Sequence, residues 1–285
     1  MRKSLESFGD LYVVATPIGN LEDMTMRAGR ILSIVDYIAA EDTRRTKTLL
    51  RQLGVNTRTR AYHDYNEELV SKAVISDLKG GLDVALVSDA GTPQVSDPGY
   101  HLVKQAFSAG IRVIPIPGPS ALSAAISVSG VPTASFLFEG FLPSKGKKRQ
   151  ETLERLAREE HSVVLYEAPH RIISLLDAMS LTMGENRGLT IARELTKLHE
   201  QVCYGTLGSI LAAFENDTIP CRGEFVIVVE GEKNKAPLID IGAEHIMREL
   251  IRELPLSKAA DVASRLVGQS RKSLYAFGLE LKNKL

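Results

Sequence analysis

The 285-residue chain is 44% hydrophobic and 25% charged, the composition of a soluble globular protein, and no apolar run approaches the ~18 residues that a membrane span requires. Its 35 Lys and Arg balance 35 Asp and Glu, which excludes a global basic field; a nucleic-acid partner would have to be met by local patches. Two cysteines without a Cys-x-x-Cys spacing, and a first stretch from Met1 to Asp10 without the apolar core of a secretory signal, point to a reducing cytoplasm.

In chain order, Leu11 to Ala15 reads as a buried strand running into the turn-formers Thr16-Pro17-Ile18-Gly19-Asn20. Helical apolar spacing follows from Thr25 to Val35, then a short strand from Tyr37 to Ala40 that ends on Glu41-Asp42-Thr43-Arg44, with Thr43 placed to cap the helix Arg44 to Leu53. A strand from Thr57 to Tyr62 and a helix from Asn66 to Leu78 lead to Val84-Ala85-Leu86-Val87. That last run is apolar without alternation, as expected of a central strand buried on both faces of a parallel sheet. It empties into Ser88-Asp89-Ala90-Gly91-Thr92-Pro93. A helix from Tyr100 to Ala109, a strand from Arg112 to Ile116 and a small-residue helix from Ser120 to Val128 complete an alternation that predicts a doubly wound α/β domain ending near Gly130.

The second half predicts five strands, Ser135 to Leu142, Ser162 to Glu167, Leu189 to Thr196, Gln201 to Leu207 and Glu224 to Glu230, in a mixed sheet. Three helices accompany them, Lys148 to Glu159, Arg171 to Met183 and Leu207 to Phe214. Glu232 to Pro237 reads as a linker to three amphipathic helices, Ala243 to Leu254, Ser257 to Leu266 and Ser270 to Asn283. The expected division is therefore 1–130, 131–231 and 232–285: two α/β domains and a helical extension.

Four glycine- and proline-rich loops close the strand ends: Thr16 to Asn20, Ser88 to Pro93, Pro117 to Ala121 and the loop after Leu142. Ligands of open α/β sheets bind beyond the carboxyl ends of the strands, so these loops mark the pocket. Neither G-x-x-x-x-G-K-S/T nor G-x-G-x-x-G occurs, which argues against a pyrophosphate-bearing ligand. The six histidines and two cysteines form no metal-ligand spacing, and no structural metal is expected.

The motifs Thr16-Pro17-Ile18-Gly19-Asn20-Leu21, Glu41-Asp42-Thr43-Arg44, Ser88 to Pro93, Pro117-Gly118-Pro119-Ser120-Ala121, Phe138-Glu139-Gly140-Phe141-Leu142-Pro143, Tyr166-Glu167-Ala168-Pro169-His170-Arg171 and Arg193-Glu194-Leu195-Thr196-Lys197, in that order, resemble the ribosomal RNA small subunit methyltransferase I family of the tetrapyrrole methylase superfamily. The resemblance covers about residues 11 to 231, and the Ala-rich tail resembles that family's C-terminal extension. It implies a homodimer of two α/β domains with S-adenosylmethionine in the cleft between them. The implied reaction is methylation of the ribose 2′-hydroxyl of a cytidine in the decoding region of 16S rRNA.

Carried over by position, Pro17, Ser88, Asp89, Gly91, Thr92, Pro93, Ser120 and Ala121 would line the cofactor from the first domain, and Tyr166, Glu167, Leu195, Thr196, Gly223 and Glu224 from the second. Asp89 and Glu167 are the carboxylates expected beside the sulfonium. A ribose hydroxyl needs a base, and Glu41, Asp42, Glu194 and Lys197, with His63 and Asp64 behind them, all remain open for that role. Arg44 and Arg45 would hold an rRNA phosphate, and the basic loop with Lys145, Lys147, Lys148 and Arg149 would act as a phosphate-gripping lid. The mixed charge of the last three helices argues against a helix-turn-helix reader of DNA; they would bind RNA or support the dimer. Two other functions fit the same residues: a tetrapyrrole methyltransferase, against which Asp89-Ala90-Gly91 argues because relatives acting on tetrapyrroles carry Gly-Asp-Pro there, and a non-catalytic ribosome-assembly factor that binds RNA.

Overall fold

A computed structural model describes residues 8–232 and 241–283. The chain divides into two compact units, Met1–Gly231 and Glu232–Leu285. The expected linker lies, beyond Glu232, outside the described residues.

The first unit opens with β1 (Leu11–Val14), a short 3-10 turn (Leu21–Asp23), α1 (Met26–Ile34), β2 (Tyr37–Ala40), α2 (Thr43–Gln52), β3 (Thr59–Ala61), α3 (Glu67–Lys79), β4 (Val84–Val87), α4 (Tyr100–Ser108), β5 (Val113–Ile116) and α5 (Ala121–Ser127). The five strands form one all-parallel sheet in the order β3-β2-β4-β1-β5. Strand alternation divides its side chains between two cores. Leu11, Tyr37, Ala39, Val84 and Leu86 face α3 and α4 through Val74, Leu78 and Leu102. Val14, Ile38, Ala40, Ala85 and Val87 face α1 and α2 through Leu32 and Leu50. Every residue of β4 is buried, which is why its sequence shows no polar alternation.

Tyr62 and Glu67 link the strand end after β3 to α4. The Tyr62 hydroxyl donates to Glu67 Oε1 at 2.9 Å, and the backbone N–H groups of Gly99 and His101 donate to the same oxygen at 3.1 Å each. This buried carboxylate supplies the acceptor that the first turn of α4 lacks in its own sequence.

The same unit continues with β6 (Phe136–Phe141), α6 (Lys147–Ala157), β7 (Ser162–Glu167), α7 (Ile172–Met183), β8 (Gly188–Arg193), β9 (Gln201–Thr206), α8 (Leu207–Glu215) and β10 (Phe225–Val229). The second sheet runs β6-β7-β10-β8-β9, with only β6 and β7 parallel. One face packs on α6, α7 and α8. The other receives α5 from the first half, whose Ala121, Ala124 and Ala125 bring that helix close to Val164, Val226 and Val228. Two halves with separate sheets are thus welded through one small-residue helix.

In the second unit α9 (Ile241–Glu253), α10 (Leu256–Val267) and α11 (Arg271–Asn283) bury Met247, Leu256, Ala260, Ala263, Leu274 and Leu281 among themselves. Among the described residues no helix is long and apolar enough to cross a membrane.

Candidate active site

The strand-end loops of the first half form one continuous floor. Thr16 and Gly91 exchange two backbone hydrogen bonds, the Thr16 N–H donating to Gly91 O at 2.8 Å and the Gly91 N–H to Thr16 O at 3.0 Å. The Thr92 hydroxyl donates to Pro119 O at 3.1 Å. The loops after β1, β4 and β5 are therefore mutually satisfied without continuing any strand.

Above this floor opens a cleft of about 380 Å³. The first half lines it with Ile18, Ala90, Gly91, Thr92, Val95, Ser96, Asp97, Ser120 and Ala121; the second with Phe141, Tyr166, Glu167, Ala168, Pro169, Glu224, Phe225 and Val226. Tyr166 is wedged edge-on against Phe138 and Phe141, ring centroids 5.1 and 5.6 Å away. Burial pushes its hydroxyl up to about 12, and the facing Asp97 carboxylate adds to this.

Of the fourteen residues expected to line a cofactor, Gly91, Thr92, Ser120, Ala121, Tyr166, Glu167 and Glu224 do line this cleft. Leu195 lines a hollow of about 30 Å³ shared with Ile18, Ala121 and Val226. Pro17, Ser88, Pro93, Thr196 and Gly223 stand outside both linings. Ser88 is buried under the floor, and the Thr196 N–H is taken by Glu200 Oε2 at 2.6 Å.

Asp89 requires a larger correction. Its carboxylate turns away from the cleft toward the start of α2: Oδ1 accepts the Asp42 N–H at 2.9 Å, and Oδ2 pairs with Arg45 at 3.1 Å. It positions the end of β2 and is not a wall of the cleft. The cap of α2 is Asp42, whose Oδ1 accepts the Arg44 N–H at 2.8 Å, and not Thr43. Asp42 also holds the Arg44 guanidinium at 2.7 Å, so the exposed Arg44 is already engaged within its own turn.

The acidic and basic groups around the cleft separate by environment. Arg44 holds Asp42 well below the usual carboxylate range. Partial burial raises Glu194, but hydrogen bonds from the Lys197 ammonium and the Glu224 N–H outweigh it and leave its pKa lowered. Burial likewise opposes the charge on Lys197, yet its bonds to Glu194 Oε1 at 2.7 Å and Glu224 Oε2 at 2.9 Å raise it and keep it protonated. None of these three is poised to accept a proton. Glu41 is raised, first by burial and then by Asp89 and Asp64, against the Asp89 N–H that donates to its Oε2 at 3.2 Å. Asp97, at the cleft wall, is pushed up to about 6, by burial first and by Glu41, Asp89 and Asp64 besides, with the Ser88 hydroxyl opposing.

Lys197 also spans the two halves: a Cβ at Gly19 would lie 2.3 Å from Lys197 Cγ, so only glycine lets the first loop lie under this side chain. On the far wall, the buried Glu167 accepts the Ala168 N–H at 2.8 Å through Oε1, and Arg171 Nε stands 3.0 Å from the same oxygen, a contact of charge without hydrogen-bond geometry. Glu167 Oε2 has no hydrogen-bond partner.

Lys145, Lys147 and Lys148 are exposed around the start of α6, whereas Arg149 is buried and leaves the expected lid. Its guanidinium turns inward, donates to Ser144 O at 2.9 Å and faces Glu167 and Arg171; burial lowers its pKa. Sequence reading missed Ile18, Val95, Ser96, Asp97, Phe141 and the Phe225-Val226 pair. A second Ser-Asp, Ser96-Asp97, eight positions after Ser88-Asp89, is the signal that pointed there.

Comparison with known proteins agrees with this geometry. Residues 10–211 match the Tetrapyrrole (Corrin/Porphyrin) Methylases family, and residues 239–282 match the RsmI C-terminal HTH domain. The chain is 44% identical over 274 residues to Ribosomal RNA small subunit methyltransferase I of Escherichia coli O157:H7, covering 96% of each chain. It is 46% identical over 267 residues to the protein of that name from Xylella fastidiosa, covering 94% of this chain and 98% of that one. Among solved structures, diphthine synthase superposes with TM-score 0.61 at 15% identity, covering 77% of this chain and 89% of that one. Uroporphyrin-III C-methyl transferase from Thermus thermophilus, complexed with S-adenyl homocysteine, gives TM-score 0.54 at 17% identity, covering 78% and 97%. At those identities the two structures speak for the fold alone. The fold, the ordered strand-end motifs and near full-length identity lead to one conclusion: the chain belongs to the ribosomal RNA small subunit methyltransferase I family, on the tetrapyrrole methylase fold.

Proposed function

We propose that the cleft between the two sheets seats S-adenosylmethionine, and that the chain methylates the ribose 2′-hydroxyl of a cytidine in the decoding region of 16S rRNA. As a member of its family the chain is a methyltransferase, and the cleft is the observation that carries the reading. It has an apolar floor without a phosphate cradle, an aromatic wall at Tyr166 and Phe141, and Asp97 and Glu167 among its lining. That chemistry fits a nucleoside bearing a positive sulfur and no phosphate. The buried Glu167 Oε2, an acceptor without a partner, is the group suited to a donor on such a ligand.

Bound S-adenosylmethionine supplies an electrophilic methyl group. The protein's own part is alignment, and two preformed walls holding donor and acceptor at near contact are worth up to ~7–11 kcal/mol. Ser120, Ala121, Gly91 and Thr92 give the ligand backbone to lie on, and Tyr166 excludes water from one side. Pro17, Ser88, Pro93, Thr196 and Gly223 belong to the loops beside these groups, and Leu195 closes the adjoining hollow. Arg45, held by Asp89 at the rim, and the exposed Lys145, Lys147 and Lys148 are the cations suited to rRNA phosphates.

A division at 1–130, 131–231 and 232–285 accompanies this reading, supported by the change of sheet after β5 and by the compact unit that begins at Glu232. A homodimer acting in the cytoplasm completes it, and sedimentation of the full chain tests the dimer. The decisive measurement is transfer of labelled methyl to small-subunit rRNA or 30S particles, with the product mapped by ribose-methylation sequencing. Label at a decoding-region cytidine is expected; label on a porphyrinogen but not on rRNA would overturn the substrate, and no label anywhere would leave an RNA-binding assembly factor.

A further inference from the structure

We propose that the outward face of α11 is a separate rRNA contact, away from the cleft lining, and that it takes RNA whose bases are unpaired. This rests on the reading that the chain acts on small-subunit rRNA. α10 and α11 are joined by three residues, Gly268 to Ser270, with Gly268 left-handed at φ 68°. A short glycine-containing connection of this kind is the form of a helix-turn-helix. Close packing settles which side of α11 turns outward. Leu274 and Leu281 are buried, and a Cβ at Gly278 would lie 2.3 Å from Leu256 Cδ1 and 2.9 Å from Met247 Cε. At 3.6 residues per turn, the opposite side collects Arg271, Lys272, Tyr275, Leu279 and Lys282 within an arc of about 100°. All five are exposed, Tyr275 by 41% and Leu279 by 45%.

Composition hides the sign of this face. The other arginines of the extension are each held by an acid on their own helix or turn of helix: Arg248 by Glu244 at 2.8 Å, Arg252 by Glu249 at 2.7 Å and Arg265 by Asp261 at 2.8 Å. Arg271, Lys272 and Lys282 have no ion pair among the described residues. The acid of α11, Glu280, lies past Lys272 at the margin of the exposed side. The mixed charge of the three helices therefore sorts in space: α9 and α10 neutralise their arginines, and α11 keeps uncompensated cations.

A face of unpaired cations is complementary to a polyanion, whereas a second copy of a chain with no net charge brings it no surplus of negative charge. The apolar groups between the cations select among polyanions. The major groove of an RNA duplex is too deep and narrow for side chains to read, so RNA is recognised mainly at unstacked bases, which lie on aromatic rings. Tyr275, half-exposed and flanked by Arg271 and Lys272 in the preceding turn, supplies such a platform, with Leu279 extending it by one turn. The cations hold the backbone and the ring holds a base, an arrangement that favours a single strand or loop over a duplex.

The test measures binding of the full chain to a labelled single strand from the decoding region of 16S rRNA, beside the matching RNA duplex and a DNA duplex of the same sequence. The single strand should bind most tightly. Arg271→Gln with Lys272→Gln should weaken it and reduce the slope of log affinity against log salt by about 1.4, two phosphate contacts at ~0.7 each. Tyr275→Ala should lose roughly 5- to 150-fold in affinity with the slope unchanged, and Tyr275→Phe should stay within about twofold of wild type. S-adenosylhomocysteine binding, followed by calorimetry, should be the same in every variant. Variants that bind RNA as wild type does, or that lose S-adenosylhomocysteine in step with RNA, would overturn the proposal. So would a change of dimer mass in sedimentation without loss of RNA, which would give the face to a second copy, or tighter binding of the DNA duplex through the same residues. A wild-type chain that methylates no small-subunit rRNA would instead overturn the reading of the substrate, so the two failures are distinguishable.

Discussion

The two halves that meet at the cleft hold the same residue type in opposite electrostatic states. On the first-half side Glu41 and Asp97 crowd together with Asp64 and Asp89, and their pKa values rise. On the second-half side each carboxylate has a cation: Glu167 has Arg171, and Glu194 and Glu224 share Lys197. One side crowds like charges and the other pairs its acids with cations, and what divides them is where the basic residues fall in the sequence, not how many acids each contains.

The largest test of that contrast is removal of Glu167. With its side chain fully buried beside Arg171 and Arg149, Glu167→Ala leaves uncompensated charge in the interior, and urea denaturation should show a loss of about 3–5 kcal/mol. Next comes Gly140→Ala, at φ +68° and against Ser96. A left-handed alanine costs about 1–2 kcal/mol, and because the clash falls on Ser96 in the cleft lining, methyl transfer should drop by more than the stability loss accounts for. The acidic wall answers to pH with the opposite sign from a paired acid. Asp97 has a folded pKa above its unfolded one, so its contribution is present below the unfolded value near ~4 and is lost as pH rises through about 6. Asp97→Asn should therefore melt higher than wild type at pH 8 and gain nothing at pH 4, by calorimetric Tm. Glu194, lowered by Lys197, follows the reverse rule, its stabilisation disappearing as pH falls through its depressed folded value. Smallest in stability is reversal of Lys147 and Lys148 to Glu, within about ±0.5 kcal/mol for exposed positions. It should nevertheless weaken rRNA binding and reduce the salt slope by about two, one for each lysine that no longer neutralises a phosphate; an unchanged slope would remove α6 from the RNA surface.

Much of this was legible in the residues. The unbroken apolar run of β4 announces burial on both faces, and the small and proline residues after β1, β4 and β5 announce strand ends able to approach a ligand. What stayed hidden depends on direction. Ser88-Asp89 and Ser96-Asp97 are the same dipeptide, and no periodicity tells which aspartate faces the cleft; left-handed backbone at Gln94 and Ser96 turns the second one inward. The strand expected to continue to Thr196 stops at Arg193 because Glu194 and Thr196 adopt φ of 51° and 67°. Arg149 follows three lysines and reads as surface, yet its position in the first turn of α6 points it toward Glu167. Rotation about a helix and handedness at a non-glycine residue come from packing partners far along the chain, and local composition does not carry them.

Glu67 illustrates where such information is kept. One of its oxygens gathers Tyr62 and the start of α4, and so anchors the far end of the segment that bears Asp97, although Glu67 sits 32 residues before Gly99 and outside the cleft lining. The cleft is thus inherited through a position that would look ornamental in any map of ligand contacts. A survey of inactive variants would recover Glu67 beside the residues of the cleft lining, and an engineer recutting the pocket would have to leave it alone.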